Sequence, residues 1–144
     1  MVREIVKDPA FLGTKSSNFF PERDKHIIEE LIATAEAHKE SCVGLAAPQI
    51  GYHIRAIVVK INGKFVPFTN PTYSCLGSEK YSVEEGCMSV EGRHWVKRSP
   101  IIMLSYDGPT GKRLYKKFYD MTAQIIQHEV DHCNGITIIN KEKR

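Results

Sequence analysis

The sequence is poor in cysteine and has no long apolar run. Its four cysteines in 144 residues are too few for a disulfide scaffold, so we expect free thiols, one of which could bind a metal ion. No stretch is as long and apolar as a signal-peptide core or a membrane-spanning helix. The net charge of +3 is too small to indicate binding to nucleic acid or to a membrane. We therefore expect a cytoplasmic protein that recognises no specific nucleic acid and no membrane.

The length and composition predict one domain that spans residues 1–144 and buries a core without disulfide or metal support. Apolar residues at helical spacing predict an amphipathic helix from Asp24 to about Lys39. We expect an irregular arm before residue 24 and a polar loop over residues 77–85. Runs of β-branched and apolar residues predict strands at Ile54–Ile61, Lys64–Phe68, Thr72–Cys75, His94–Val96, Ile101–Tyr106, Lys112–Tyr119 and Ile136–Ile139. These elements predict an α+β fold, with mostly antiparallel sheets packed around a C-terminal metal-binding helix.

The predicted C-terminal helix carries the pattern H-E-x-x-H. His128 and His132 are four residues apart, so a helix places them one turn apart on one face, where both can bind a single metal ion. Glu129 lies beside them and can accept a proton from a water molecule at the metal. Asp120 is the expected N-cap, and Asn134–Gly135 is expected to end the helix. The pattern alone leaves a second interpretation open, in which both histidines are ordinary structural residues.

A catalytic site of this type needs a third protein ligand. One known layout has a third histidine downstream, but this sequence has Ile138 at that position. Another layout takes a glutamate from a following helix, and Glu142, in the charged tail, is a poor candidate. We therefore expect an upstream ligand, and Cys87, in a polar segment, is the best candidate. A thiolate with two imidazoles suits tetrahedral Zn(II) or Fe(II), whereas Cys75 and Cys133 are expected to be buried thiols.

Three motifs occur in order along the chain. They are C-V-G-L-A-A-P-Q at Cys42–Gln49, E-G-C-M-S at Glu85–Ser89 and Q-H-E-V-D-H at Gln127–His132. Together they resemble the peptide deformylases, whose patterns read G-φ-G-φ-A-A-P-Q, E-G-C-φ-S and Q-H-E-φ-D-H. The resemblance extends over nearly the entire chain. One departure is Cys42, which stands where the first pattern has a glycine and could change how that loop holds the substrate.

The resemblance implies a hydrolase that removes the formyl group from the N-terminal formyl-methionine of new polypeptides and releases formate. It implies that Cys87, His128 and His132 hold one divalent metal ion. Fe(II) is expected in the cell, with Zn, Ni or Co as alternatives. Glu129 is implied as the general base that takes a proton from water and then returns it to the departing amine.

Further roles follow from the same resemblance. The side-chain amide of Gln49 and the backbone N–H of Met88 would stabilise the developing oxyanion, together with the metal. Gly44 would pair its backbone with the extended substrate as if adding a strand. Val43 and Ile125 are expected to line the pocket for the methionine side chain.

The implied partners are N-formyl-methionyl nascent polypeptides, with the ribosome surface as a candidate partner, and we expect a monomer. Two alternatives remain open. One is a metallopeptidase that cleaves internal peptide bonds, and the absence of a downstream ligand argues against it. The other is a binding module without activity, which the presence of Glu129 and Gln49 disfavours.

Overall fold

The computed structural model describes residues 1–141, so the tail that contains Glu142 lies outside the described residues. The helices α1 to α4 are Pro9–Leu12, Pro21–Ala37, Asp120–Cys133 and Ile138–Lys141, and a 3₁₀ helix covers Ala47–Ile50. The strands β1 to β7 are Gly44–Ala46, Ala56–Ile61, Lys64–Cys75, Tyr81–Cys87, Val90–Arg98, Ile101–Asp107 and Arg113–Tyr119. Within residues 1–141, no helix is long and apolar enough to cross a membrane.

Two antiparallel sheets organise the molecule. The larger has the strand order β1-β2-β3-β6-β7, and the smaller is the hairpin of β4 and β5. The hairpin between β2 and β3 turns at Asn62 and Gly63, which both have positive φ angles of 51° and 80°. This is the turn that an Asn-Gly pair favours, because its twist matches that of the flanking strands. The α+β prediction is confirmed.

The large sheet has a helix on each face over its first three strands. Ile57, Val59 and Phe68 point to the face that carries α3, and they pack with Ile126 and Val130 of that helix. The opposite face of the same strands packs against α2. That second core contains Ile27, Leu31, Leu45, Ala56, Val58 and Phe65. Helix α3 is therefore held on the sheet by an apolar face, which leaves His128 and His132 on another face.

Several predicted boundaries are wrong. The helix predicted from Asp24 begins at Pro21, because proline is well suited to the first helical turn. The irregular arm also contains α1. The strands predicted on either side of Asn70 form one long strand, β3, which accommodates Pro71 through a bulge between Thr69 and Thr72.

Two other assignments need correction. The polar loop predicted over residues 77–85 forms much of β4, where Tyr81, Val83 and Glu85 alternate with more exposed residues. The inward-facing charge of Glu85 disguised this alternation. No strand forms at Ile136–Ile139: residues 136 and 137 are irregular and Ile138 begins α4, since a short apolar run does not distinguish a strand from a helix.

The N-cap prediction for α3 is also wrong. The helix begins at Asp120 itself, the preceding Tyr119 is the cap residue, and no side chain caps the helix. Asp120 has a φ angle of 53°, and its N–H donates to the carbonyl of Pro100 at 2.8 Å. At the other end, the predicted stop at Asn134–Gly135 agrees with the structure, because Asn134 is the cap residue and Gly135 has a φ angle of 75°.

Candidate metal centre and active site

The three predicted metal ligands lie together. Helical spacing brings the rings of His128 and His132 to a centroid distance of 5.2 Å. Cys87 ends β4, and its Sγ lies 3.4 Å from Nε2 of His132. One ligand atom from each of the three residues lies within 4.8 Å of the other two. A thiol and two imidazoles at this separation can bind one divalent metal ion of the Zn(II) or Fe(II) type.

The pKa values of the two histidines are shifted in opposite directions. Burial lowers the pKa of His128, but hydrogen bonds to Cys87 and Glu85 outweigh burial and raise it to about 10. A divalent cation between these groups would take the place of that proton. Burial, and then the charges of His128 and Arg98, holds the pKa of His132 well below its usual value. His132 is therefore a neutral imidazole, which is the form that binds metals.

Glu85 orients His128. Its Oε1 lies 2.9 Å from Nδ1 of His128. Burial alone would raise the pKa of Glu85, but hydrogen bonds from Arg98 and His128 lower it to about 2. The carboxylate must therefore accept, and Nδ1 of His128 must donate. This leaves Nε2 of His128 available to bind a metal ion and fixes the orientation of the ring.

Arg98 connects the strand that carries the cysteine to the helix that carries the histidines. Its side chain is only 1% exposed. It donates to both carboxylate oxygens of Glu85, at 2.7 and 2.9 Å, and to Oδ2 of Asp131 at 2.7 Å. Asp131 also accepts a hydrogen bond from the hydroxyl of Tyr73 at 2.9 Å. The buried charges are thus paired, and they fix β4 against α3 beside the ligands.

The first motif places Gln49 beside the ligands. The side-chain Oε1 accepts from the backbone N–H of Ala46 at 3.0 Å, which fixes the direction of the amide. The Nε2 group donates to the hydroxyl of Ser89 at 3.1 Å and lies 3.6 Å from Sγ of Cys87. The amide N–H groups of Gln49 therefore face the same space as the metal ligands.

A cavity of about 610 Å³ opens over this centre. Eight of the nine predicted site residues line it, namely Val43, Gly44, Gln49, Cys87, Met88, Ile125, His128 and Glu129. His132 does not line the cavity, and its side chain is buried, with 1% of the residue exposed. Val83, Met121 and Gln124 also line the cavity, and sequence reasoning missed them because they belong to none of the three motifs.

The wall beside Glu129 is formed by Gly44. A Cβ atom at Gly44 would lie 2.8 Å from Oε2 of Glu129 and 2.9 Å from Cγ2 of Ile125, so the position needs glycine. Cys42 lines the same wall, and its thiol donates to the carbonyl of Gly44 at 3.3 Å. Burial, and then the charge of Glu129, raises the pKa of Cys42 to about 11, so the thiol stays protonated.

Glu129 has the properties of a group that exchanges protons near neutral pH. Burial raises the pKa of its carboxyl, the charge of His128 opposes this rise, and the result is a pKa of about 7. Its Oε1 is buried and has no hydrogen-bond partner within residues 1–141. One carboxylate oxygen is therefore available beside the three ligand atoms.

Comparison with known proteins places the chain among the deformylases. A family model described as polypeptide deformylase matches residues 2–144. The peptide deformylase of Clostridium beijerinckii is 42% identical over 139 residues, which cover 96% of this chain and all of that protein. The peptide deformylase of Dictyoglomus turgidum is 34% identical, over 98% of this chain and 93% of that protein.

Solved structures of peptide deformylases share the fold of this chain. The crystal structure of peptide deformylase from Thermotoga maritima has a TM-score of 0.85 and 31% identity, and the match covers 100% of this chain and 99% of that one. A class I type b peptide deformylase from Acinetobacter baumannii with Met-Ala-Ser bound has a TM-score of 0.87 and 27% identity, with 99% of each chain covered. The chain belongs to the peptide deformylase family, metal-dependent hydrolases that remove the N-formyl group from nascent polypeptides.

Proposed function

We propose that Cys87, His128 and His132 hold one divalent metal ion in this chain, and that the ion is Fe(II) in the cell, with Zn, Ni or Co able to replace it. The observation that carries this proposal is the convergence of three ligand atoms within 4.8 Å of one another beside Glu129. When bound, the ion would supply Lewis acidity, which polarises a carbonyl group and makes a nearby water molecule more acidic.

Glu129 is the proposed general base and acid. Its carboxylate takes a proton from water as the water oxygen bonds to the formyl carbon. The bond between that carbon and the methionine nitrogen then breaks, and Glu129 returns the proton to the departing amine. The products are formate and a peptide with a free N-terminus. A pKa of about 7 supports this role, because the group can hold and release a proton near neutral pH.

Gln49 and Met88 are the proposed donors to the oxyanion that forms during attack. The orientation of the Gln49 amide supports this role. Its Oε1 accepts a hydrogen bond from the N–H of Ala46, so Nε2 is turned toward Cys87. Met88 follows Cys87 directly and lines the same cavity, so its backbone N–H is the second proposed donor. Each such donor contributes about 10²–10³-fold to the rate.

The remaining site residues are proposed to bind the peptide. Gly44 lies in β1, the first strand of the large sheet, and can pair its backbone with an extended substrate. Val43 and Ile125 would contact the methionine side chain. The Acinetobacter baumannii enzyme, which shares the fold over 99% of each chain, was solved with Met-Ala-Ser bound. A peptide of this size is therefore a reasonable product for the cavity of this chain.

We further propose that residues 1–144 form one catalytic domain that acts as a monomer in the cytoplasm. We also propose that it encounters nascent polypeptides at the ribosome surface. The three proposed metal ligands, Glu129 and Gln49 meet within one copy of the chain, so the proposed site requires no residue from a second copy. Nascent polypeptides are presented at the ribosome, which supports that place of action.

Product analysis with N-formyl-Met-Ala-Ser tests the proposal. Protein purified and loaded with Fe(II) under anaerobic conditions should release formate and leave Met-Ala-Ser intact. Cleavage between methionine and alanine would instead indicate a metallopeptidase. A fully loaded protein that binds the peptide and changes neither bond would indicate a binding module.

A further inference from the structure

Gln124 lies between the helix that carries the two histidines and the strand that carries Cys87. It is on α3, one turn before His128, and its side chain is half-buried. It belongs to none of the three motifs. Its amide nevertheless forms a hydrogen bond through each of its two polar atoms, and both partners belong to β4. Gln124 is therefore a polar contact between α3 and β4 that the proposed reaction does not explain.

The chemistry of the two partners fixes the orientation of this amide. Glu85 forms a buried ion pair with Arg98, so its carboxylate only accepts hydrogen bonds. Nε2 of Gln124 therefore donates to Oε2 of Glu85, at 2.9 Å. Oε1 of Gln124 then faces the hydroxyl of Tyr81, which donates to it at 2.9 Å. The hydrogen bonds thus run in one direction, from Tyr81 through Gln124 to Glu85.

Gln124 completes the set of donors around the Glu85 carboxylate. Arg98 donates to both carboxylate oxygens. Nδ1 of His128 donates to Oε1 at 2.9 Å, and Gln124 donates to Oε2. Gln124 and His128 are one helical turn apart, so α3 contacts the two oxygens of one carboxylate at two successive points. The carboxylate therefore cannot turn away from His128 without breaking a bond to Gln124 or Arg98.

The same hydrogen bonds fix the position of β4 along the helix. Tyr81 begins this strand, and its side chain and that of Glu85 point to the same face, because side chains alternate along a strand. Gln124 contacts both of them. Cys87 ends the strand two residues after Glu85. The distance from Cys87 to the two histidines therefore depends on contacts that Gln124 makes.

We propose that Gln124 is a positioning residue for the metal centre, which holds Glu85 against His128, and that Tyr81 fixes the amide of Gln124 in this orientation. The inference rests on the proposed function, since it presupposes the proposed metal ligands. Partners of this kind orient the ligands of a metal ion and strengthen its binding. Glutamine suits this position because its neutral amide accepts from a hydroxyl and donates to a carboxylate at the same time.

Two other roles for Gln124 make different predictions. Gln124 lines the cavity, and an amide that only contacted the peptide would change KM when removed and leave metal binding unchanged. An amide that only stabilised the fold would change the free energy of unfolding and leave metal binding unchanged. Tyr81 does not line the cavity, so an effect of its hydroxyl on metal binding has to be transmitted through another residue. Metal affinity is therefore the measurement that separates the three roles.

The test is titration of Zn(II) into the chelator-treated full chain, in competition with a chromophoric chelator. Loss of a direct partner of a ligand weakens metal binding by about 10–100-fold, and Gln124 is one bond further from the ion, so Gln124→Met should weaken zinc binding by about three- to tenfold. Methionine is as long as glutamine and favours a helix equally, but its thioether does not donate to Glu85. Tyr81→Phe should cause a smaller loss in the same direction.

A double variant shows whether Gln124 acts through Glu85. Gln124→Met added to Glu85→Gln should weaken zinc binding no further than Glu85→Gln does alone, because the group that Gln124 positions is already changed. A further loss as large as that in the wild-type background would show that the two residues act independently. That result would overturn the inference.

Tyr52→Phe is the matched control. Tyr52 also donates its hydroxyl to a glutamate, Glu30 at 2.8 Å, but it packs in the core on the α2 side of the sheet. The control should bind zinc as the wild type does. A wild type that binds no zinc would overturn the proposed metal centre itself. Zinc binding that is normal in Gln124→Met, or an equal loss in the control, would overturn the positioning role alone.

Discussion

Replacement of Glu129 by glutamine is expected to abolish activity and to stabilise the metal-free protein at alkaline pH. Glu129 is only 4% exposed, and burial raises the pKa of its carboxyl to about 7. Folding of the metal-free chain above that pH therefore places a charge in surroundings that disfavour charge. Glutamine has nearly the same shape and carries no charge, so the variant avoids this cost.

The size of the effect follows from linkage between folding and protonation. The ordinary pKa of the group is 4.5, whereas in the folded protein it is about 7. Between these values the folded state retains a proton that the unfolded state has lost, so the free energy of unfolding falls as pH rises. A shift of about 2.5 units at 1.36 kcal/mol per unit corresponds to about 3 kcal/mol at pH 8 or above. Part of this gain is lost, because the amide of the new glutamine would need a hydrogen-bond partner where Oε1 of Glu129 has none among the described residues. We therefore expect the free energy of unfolding to rise by a net amount of about 1–3 kcal/mol.

Urea unfolding of the chelator-treated wild type and the Glu129→Gln variant, at about pH 5 and about pH 8, measures this gain. The variant should be more stable than the wild type at the higher pH, and the difference should be smaller or reversed at the lower pH. Glu84→Gln is the matched control, because Glu84 is an exposed carboxylate in the same cavity wall. A stability difference that is the same at both pH values would refute the reasoning.

Three further substitutions test other parts of the site. Gly44→Ala places a methyl group 2.8 Å from Oε2 of Glu129, so formate release should fall by about 100-fold. Gln49→Glu removes the amide donor, so kcat should fall by about 10²–10³-fold while metal content, measured by elemental analysis, is unchanged. Glu85→Gln breaks the buried pair with Arg98, and urea unfolding should show a loss of about 3 kcal/mol. The same variant should bind metal at least about tenfold more weakly in competition with a chelator. Wild-type behaviour in any of these assays would contradict the role given to that residue.

Local patterns predicted the parts of the site that depend on local geometry. The four-residue spacing of His128 and His132 determines their separation on any helix, and helix α3 forms as predicted. The Asn62–Gly63 turn likewise sets the register of β2 and β3, because both residues adopt positive φ angles readily. The deformylase family and its reaction were also predicted correctly, from three motifs in order.

The long-range contacts around the ligands could not be predicted in this way. Arg98 gives no signal in the sequence, because its partners Glu85 and Asp131 lie 13 and 33 residues away. A charged residue that points inward also conceals the strand that carries it, as Glu85 did for β4.

The most direct measurement is release of formate from N-formyl-Met-Ala-Ser by anaerobically purified, metal-loaded protein and its Glu129→Gln variant. Both proteins should contain one metal ion per chain, because Glu129 is not among the proposed ligands. We expect formate from the wild type and little from the variant. No formate from a fully loaded wild type, or equal formate from both proteins, would contradict the proposal that Glu129 and the metal centre remove the formyl group.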